Sequence, residues 1–387
     1  MRDGFNDRGK DTPGPTTTTD ADIPPPDFGT SRVRSSRRRS RRTRFKRWLG
    51  THRALTVLVA TALSLLVFVV AWLVYLNSQL GDVERFDVEL DRPDRPTRVA
   101  GEAVNILLLG VDDADYRDDV GPQLDEVLKG AWQPGAFRSD TMMVLHVDAT
   151  GDQAQLVSIP RDSWVQVPGH GNNKVNAALS LGGPELAART VEDTFELHLD
   201  HVMLIDFQGL REVSQILDGV DVYVPRTVTD TKSGHTWQQG VHHVRGNEAL
   251  LYVRQRYGLP GGDFDRIQRQ QNFLRAILDK VAARGTLLNP LRVTRLARHL
   301  ADLVAVDQTL TNGRLRDLVL SGRHLRSHSI RFLTVPHDGS AMVGRASVVK
   351  LRLREARGMF SEIAHDRFES WYADHQVDDL PDRTAVD

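Results

Sequence analysis

The chain of 387 residues is long enough for one large domain or two ordinary ones with additional segments. Its 50 basic and 51 acidic residues give a formal net charge of -1, from which no general electrostatic affinity for polyanions follows. The absence of cysteine excludes disulfide bonds, thiol catalysis and cysteine-ligated metals.

Basic residues are concentrated directly in front of a long apolar segment. Eleven lysines and arginines, and no acidic residue, lie between Ser31 and Arg53, and the uncharged run Ala54–Leu76 follows with 23 residues. Roughly 20 apolar residues cross a bilayer as a helix, and positive charge before the span keeps the N-terminus in the cytoplasm. We therefore predict a disordered cytoplasmic tail (1–53), a transmembrane helix (54–76) and an extracytoplasmic stalk (77–102). A cleaved signal peptide is the alternative, although its apolar region is typically shorter, roughly 7–15 residues.

From residue 103 onward, short apolar runs alternate with longer amphipathic segments. The predicted strands are Val104–Val111, Thr141–Val147, Ala154–Ile159, His201–Asp206, Val220–Val224 and Ile330–Val335. The predicted helices are Pro184–Leu197, Phe207–Leu217, Arg266–Arg284, Pro290–Leu303, Asn312–Leu320 and Ala346–Phe360. Continuously apolar strands indicate burial on both faces of a sheet. We predict a single three-layer α/β/α domain with a central mixed sheet over residues 103–368, and a frayed C-terminal tail over 369–387.

Charged residues stand at the ends of three of the predicted strands. Asp112 follows the first strand, Arg138 and Asp140 precede the second, and Arg161 follows the third. Sheets of α/β proteins place their ligands at such strand ends. Arginine binds phosphate oxygens through a planar fork of donors, and carboxylates bind divalent metals. Each of these residues also has a structural interpretation, as a turn aspartate, an ion-pair partner or a surface arginine.

A second group of arginines flanks the predicted helix that begins near residue 266. Arg254 and Arg256 precede the glycine-rich connection 258–262, which allows the chain to turn back towards Arg266. Arg266 and Gln270 are four residues apart and therefore share one helix face. The pattern predicts a cluster of cations, with a set of structural salt bridges as the alternative.

Two aspartates near the start of this helix have different predicted roles. Asp265 and Gln268 fit an N-terminal capping box, so Asp265 is interpreted as structural. Asp263, predicted to lie just outside the helix, is the acidic candidate for the site.

Taken in order, these segments resemble the LytR-CpsA-Psr family of cell-envelope glycopolymer transferases. The matching stretches are Asn105–Asp112, Arg138–Met142, Ser158–Asp162, Lys174–Ala178, Asp206–Gly209, Gly219–Val222, Val253–Tyr257, and Asp263 with Arg266 and Arg269–Gln271. Each motif is short, but their order over about residues 103–365 is specific. Val111 departs from the small polar residue that many relatives have before the aspartate.

The resemblance implies that a glycopolymer is transferred from a polyprenyl-pyrophosphate carrier onto peptidoglycan by an enzyme anchored in the cell membrane. It implies that Asp112 and Asp140 hold Mg²⁺, and that an apolar cavity between sheet and helices holds the prenyl tail. The implied pyrophosphate ligands are Arg138, Arg161, Arg254, Arg256, Arg266 and Gln270. Arg138, Arg161 and Asp263 would act in catalysis, with Asp263 as the candidate that takes the acceptor proton.

Two other functions fit the same residues. A pyrophosphatase would use water as the acceptor for the same lipid, and a non-enzymatic envelope scaffold or regulator would only bind it. No P-loop, zinc-protease helix or nucleophile elbow is present in the sequence. Teichoic acid, arabinogalactan and capsule are all compatible with the implied polymer.

Overall fold

The computed structural model describes residues 83–99, 101–113, 137–206, 209–322, 325–375 and 377–387, with isolated positions and short pieces between 61 and 81. The chain divides into two compact units, Met1–Phe68 and Val69–Asp387, and the fold described below belongs to the second. The predicted tail 1–53 and most of the predicted span 54–76 lie outside the described residues. Within the described residues, no helix combines the length and the apolar character that crossing a bilayer requires.

An eight-stranded mixed sheet forms the centre of this unit. The strands in chain order are β1 (Glu84–Phe86), β2 (Val104–Asp113), β3 (Phe137–Val147), β4 (Ala154–Ile159), β5 (Trp164–Val167), β6 (Gly171–Lys174), β7 (His201–Asp206), β8 (Val220–Val224), β9 (Val228–Thr229), β10 (Thr236–Trp237), β11 (Gly240–Val244), β12 (Val304–Asp307), β13 (Ile330–Thr334), β14 (His337–Val343), β15 (Ala346–Leu351) and β16 (Asp378–Asp379). The sheet order is β1-β12-β7-β2-β3-β4-β13-β16. Strand β3 is antiparallel to both β2 and β4, whereas β7 is parallel to β2 and β13 is parallel to β4.

Helices cover both faces of the sheet. They are α1 (Ala177–Phe195), α2 (Gly209–Ile216), α3 (Asn247–Arg254), α4 (Asp263–Ala282), α5 (Arg284–Leu287), α6 (Pro290–Leu303), α7 (Asn312–Ser321), α8 (Leu353–Ala364) and α9 (Phe368–Asp374). Alternate residues of β2 show the two faces: Leu107 and Leu109 pack with Val191 of α1 and Phe360 of α8. Leu108 instead packs in a cluster with Leu274 of α4. The prediction of an α/β fold with a central mixed sheet is therefore confirmed.

The predicted helix Ala346–Phe360 is wrong over its first part. Residues Ala346–Leu351 form β15, which pairs antiparallel with β14, and α8 begins only at Leu353. The buried β-branched pair Val348 and Val349 favours the strand, and the hairpin partner satisfies its backbone.

The C-terminal residues that were predicted to be frayed are packed against the domain. Helix α9 buries Phe368, and β16 pairs with the edge strand β13. Val386 is 1% exposed. Apolar burial and a paired strand therefore hold this segment in place, although its sequence is largely polar.

A buried carboxylate joins the central strand β7 to its neighbour β12. Asp307 accepts hydrogen bonds from the Val202 amide at 3.0 Å, from Nδ1 of His201 at 3.1 Å and from the Thr309 amide at 2.9 Å. Burial by itself would raise the pKa of Asp307, but the hydrogen bonds from His201, Thr309 and Val202 outweigh it, and the pKa is lowered. The charged carboxylate is therefore the form that stabilises the fold.

We predict that Asp307→Asn lowers the free energy of unfolding at neutral pH by about 2–4 kcal/mol, because the amide NH₂ would replace one of the two oxygens and face the backbone donor that this oxygen accepts, Val202 or Thr309. The stabilisation by the wild-type carboxylate is complete above the ordinary aspartate pKa of 3.8 and is lost as the pH falls through the lowered value. Urea unfolding at a series of pH values should show the difference between variant and wild type narrowing below about pH 4. The exposed carboxylate variant Asp317→Asn is the control, and a difference that stays constant with pH would contradict the assignment.

Candidate active site

Strands β2 and β3 bring three of the predicted site residues to one end of the sheet. The main chain of Asp112 pairs with that of Arg138, and Val111 pairs with Ser139. The register shifts between Gly110 and Val111, because Gly110 pairs with Thr141 and leaves Asp140 as the extra residue of a β-bulge. The side chains of Asp112, Arg138 and Asp140 lie outside the described part of the structure.

Three charged side chains meet beside this strand end, and we call them the guanidinium cluster: Arg161, Asp263 and Arg266. Nη2 of Arg266 lies 2.9 Å from Oδ1 of Asp263, and Nη2 of Arg161 lies 3.5 Å from the same oxygen. All three side chains are largely buried, with exposed fractions of 14%, 23% and 6% for Arg161, Asp263 and Arg266. One carboxylate oxygen thus lies within ion-pairing distance of two guanidiniums and holds them close together.

The start of α4 explains how Asp263 reaches both arginines. The helix begins at Asp263, so the prediction that this residue lies outside the helix is wrong. Gly262 has a φ of 58°, a left-handed conformation that favours glycine, and it turns the chain into the helix earlier than the capping pattern suggested. Asp265 is therefore not the N-cap. Its carboxylate still has a structural role, since Oδ2 accepts a hydrogen bond from the Gly261 amide at 2.7 Å.

Gln270 lies one turn further along α4 and joins the cluster to two neighbouring elements. Its Oε1 accepts a hydrogen bond from Thr141 at 3.0 Å, and its Nε2 donates to the Val253 carbonyl at 3.4 Å. Gln271, which the sequence did not single out for a role, donates from Nε2 to Ser158 and to the Leu333 carbonyl, both at 2.8 Å. Both side chains are buried, so their amides position α4 on the sheet.

Arg254 and Arg256 lie where α3 ends and the chain turns towards α4. Arg254 is the last residue of α3 and is half-buried. Arg256 donates from Nη2 to the Tyr257 hydroxyl at 2.5 Å, and this hydrogen bond lowers the pKa of Tyr257. The charge of Arg161 also contributes to lowering that pKa, so Tyr257 experiences the field of both groups of arginines.

Lys174 and Arg269, which were outside the predicted core of the site, also have defined partners. Nζ of Lys174 lies 2.8 Å from Oδ1 of Asp162, so this lysine is ion-paired with the residue that follows Arg161. Arg269 is fully buried and contacts Gln255 and the C-terminal segment.

An apolar cavity of about 80 Å³ adjoins the guanidinium cluster. Its walls come from β2, β3 and β7 on one side and from α2, α3 and α4 on the other. Thr141, Met143 and Gln270 line both this cavity and the small cleft that contains Arg161, Asp263 and Arg266. The expected apolar cavity between the sheet and the helices is therefore present, and the guanidinium cluster lies at one side of it.

The donor set at the β2–β3 end suits a hard divalent cation. Backbone pairing brings Asp112 and the bulged Asp140 to adjacent strand ends, and Mg²⁺ typically binds one or two carboxylates together with substrate phosphates. Within the side chains that the structure describes, no group of three His, Asp or Glu residues could hold a metal. A magnesium site at Asp112 and Asp140 therefore stays a prediction. The residue types at these two positions are compatible with it.

The fold is thus an α/β domain in which largely buried arginines stand beside an apolar cavity. The chain belongs to the LytR_cpsA_psr family, whose model matches residues 77–361. The resemblance read from the motifs is thereby confirmed.

Two curated relatives show how far the similarity extends. LcpB of Corynebacterium glutamicum, a probable cell wall biosynthesis protein, is 40% identical over 209 residues, which cover 53% of this chain and 49% of the relative. TagV of Bacillus subtilis, a polyisoprenyl-teichoic acid–peptidoglycan teichoic acid transferase, is 30% identical over 193 residues. These residues cover 48% of this chain and 49% of TagV. The alignments thus span about half the length of these relatives.

Solved structures share the fold. The crystal structure of B. subtilis TagV has a TM-score of 0.54 at 24% identity. The match covers 69% of this chain and 99% of the TagV chain. The structure of TagT bound to LI-WTA has a TM-score of 0.53 at 25% identity, with 72% of this chain covering 98% of that one.

The glycine-rich turn before α4 generates a stability prediction. Gly258 has a φ of 81°, and a Cβ at this position would lie 2.1 Å from the Thr229 carbonyl oxygen. We expect Gly258→Ala to cost about 3 kcal/mol or more of unfolding free energy, because backbone strain and overpacking add. Gly234→Ala is the matched control: its φ is 75°, but nothing lies within 4 Å of the added Cβ. Chemical denaturation measures both, and equal losses would show that the contact with Thr229 is unimportant.

Proposed function

We propose that this protein is a membrane-anchored, Mg²⁺-dependent phosphotransferase that moves a glycopolymer from a polyprenyl-pyrophosphate carrier onto peptidoglycan. The observation that carries the proposal is the guanidinium cluster at one side of an apolar cavity, joined to it through Gln270 and Thr141. A pyrophosphate group would bind to the arginines while the start of its prenyl chain enters the apolar cavity. In this proposal the catalytic domain acts outside the cell membrane, in keeping with the basic segment and apolar run near the N-terminus.

The names of the relatives support the same chemistry. TagV is named as a transferase of teichoic acid from a polyisoprenyl carrier to peptidoglycan, and LcpB as a probable cell wall biosynthesis protein. The elements that carry the proposed site lie within residues 77–361, which match the family. The transferase names of TagU and TagV favour a transferase over the pyrophosphatase, whereas MsrR of Staphylococcus aureus is named a regulatory protein and keeps the regulator as the second candidate.

In the proposed reaction, an acceptor hydroxyl attacks the phosphorus atom that carries the glycan. A new phosphorus–oxygen bond forms to the acceptor, and the bond to the bridging oxygen breaks, so that polyprenyl phosphate leaves with the electron pair. Arg161 and Arg266, with Arg138, Arg254 and Arg256, would neutralise the charge on the two phosphates. Such preorganised donors typically contribute most of the catalysis of phosphoryl transfer.

The carboxylates have separate roles in this scheme. Asp263 orients the guanidiniums of Arg161 and Arg266 before the substrate binds, since both lie within 3.5 Å of its Oδ1. Its second predicted role, taking the proton of the acceptor hydroxyl, stays a prediction. Asp112 and Asp140 would hold Mg²⁺, which when bound supplies further charge neutralisation at the phosphates.

Arg161→Ala and Arg254→Ala test the proposed site. Each variant should reduce transfer at least about 100-fold, because a charge-assisted donor to the reacting phosphate is lost. The assay combines purified protein, a polyprenyl-pyrophosphate-linked glycan and a peptidoglycan fragment, and it follows both transferred glycan and released polyprenyl phosphate. Arg245→Ala is the control, since this exposed arginine pairs with Asp218 at 2.9 Å on the surface. Full activity of both site variants would contradict the assignment, and lipid cleavage without an acceptor would favour the pyrophosphatase.

Removal of the metal tests the roles of Asp112 and Asp140. Chelation should abolish transfer by the wild type, and added Mg²⁺ should restore it. Asp112→Asn and Asp140→Asn should require much higher Mg²⁺ concentrations for the same rate, since each loses one anionic ligand. Titration of activity against Mg²⁺ measures this, and unchanged half-saturation in both variants would exclude these residues as ligands.

A further inference from the structure

Arg269 is a fully buried cation on α4 to which the proposed reaction assigns no role. Its Nη1 donates to Oε1 of Gln255 at 2.8 Å, and its Nε donates to the main-chain carbonyl of Asp387 at 2.7 Å. Its guanidinium also lies over the ring of Tyr252, 4.8 Å from the centroid. Arg269 is 0% exposed, and this burial lowers its pKa. Burial of a charge is unfavourable unless the charge is well bonded, so the partners of Arg269 are structurally important.

Gln255, the side-chain partner of Arg269, stands between two of the candidate substrate arginines. It is 1% exposed, and its Nε2 donates to the Tyr257 carbonyl at 3.1 Å. Its main chain is extended, with φ -64° and ψ 131°. Gln255 is preceded by Arg254, the last residue of α3, and followed by Arg256, so its position constrains the main chain from which both arginines extend. The bond from Arg269 fixes Gln255 and, with it, the main chain on either side.

The other partner of Arg269 belongs to residues 377–387, which we call the C-terminal strap. The strap contacts α4 at two further points, because Nη1 of Arg275 donates to the Pro381 carbonyl at 3.1 Å and Arg383 pairs with Asp279. At its far end, the carboxylate of Asp387 lies 2.8 Å from Nη2 of Arg226. The strap therefore holds the outer side of the helix whose first turns carry Asp263 and Arg266.

We propose that Arg269 is a positioning residue that couples the C-terminal strap to the phosphate-binding arginines through Gln255. This inference rests on the proposed function for the identity of the ligand, but the coupling itself is a property of the chain. Arg269 bonds to both the strap and the 254–257 segment, whereas Arg275 bonds to the strap and to Asn272. The two arginines therefore form a matched pair in which only one should influence the site.

Binding of geranylgeranyl pyrophosphate, measured by titration calorimetry with the full-length protein and Mg²⁺, tests the coupling. Arg269→Lys keeps the charge but cannot make both bonds of the planar guanidinium, and it should weaken binding about tenfold. Gln255→Leu should have a similar effect. The double variant should bind no more weakly than either single variant, because both remove the same connection. Arg275→Lys should bind the pyrophosphate as the wild type does. The melting temperatures of Arg275→Lys and Arg269→Lys show whether the two variants lose similar amounts of stability.

Hydrogen exchange of the 250–262 segment, read by mass spectrometry without ligand, separates the two proposals. Exchange should be faster in Arg269→Lys and after deletion of residues 377–387, and unchanged in Arg275→Lys. Equal exchange and equal affinity in the two lysine variants would overturn the positioning role. If the wild type fails to bind the pyrophosphate, the proposed function falls, while faster exchange in Arg269→Lys alone would still establish the coupling.

Discussion

Three consecutive side chains of α4 determine where the charged residues of the site stand. Arg269 holds Gln255 and the C-terminal strap, Gln270 bonds to Thr141 of β3 and to Val253 of α3, and Gln271 bonds to Ser158 of β4 and to Leu333 of β13. Successive helical residues are separated by about 100° around the axis, so three in a row reach three different neighbours. Each of these bonds is directional and buried, and breaking one would leave an unsatisfied polar group inside the protein. The helix therefore has one permitted depth and rotation on the sheet.

This constraint allows like charges to be gathered in one place. Arg161 comes from the end of β4 and Arg266 from the first turn of α4, and burial strengthens their mutual repulsion. Asp263 offsets the repulsion because it lies between them, in the first turn of the helix, where a negative charge is also favoured by the helix dipole. The hydrogen bonds of Arg269, Gln270 and Gln271, further along α4, hold this arrangement in place.

The sequence predicted those helices and strands whose apolar residues recur with a strong periodicity, and it predicted the positions of the motifs. It did not predict the contacts that connect them. Strands β4, β7 and β8 and helix α6 begin and end where predicted, since local apolar patterns define them. The start of α4 was misplaced because the left-handed Gly262 has no signature that distinguishes it from neighbouring glycines. The role of Gln271 depends on partners 113 and 62 residues away, which no local pattern reveals. Packing of the C-terminal strap is hidden for the same reason, since its polar composition is typical of a solvated tail.

The two halves of the site are built from interactions with different tolerance for movement. The guanidinium cluster is held by ion pairs to one carboxylate oxygen, which weaken as the charges move apart. The adjoining cavity of about 80 Å³ is lined mainly by Leu108, Met143, Ile205, Leu210 and Leu274, whose contacts are non-directional. A polyprenyl chain adds five carbons with each unit and is far larger than this cavity, so a ligand of that class requires the apolar walls to separate. Because Gln270 and Gln271 bond α4 to the sheet, the separation is expected at the side of the cavity that Leu210 of α2 forms rather than at α4. In the proposed function, charge recognition and lipid accommodation would be served by adjacent surfaces that share Thr141, Met143 and Gln270 among the described residues.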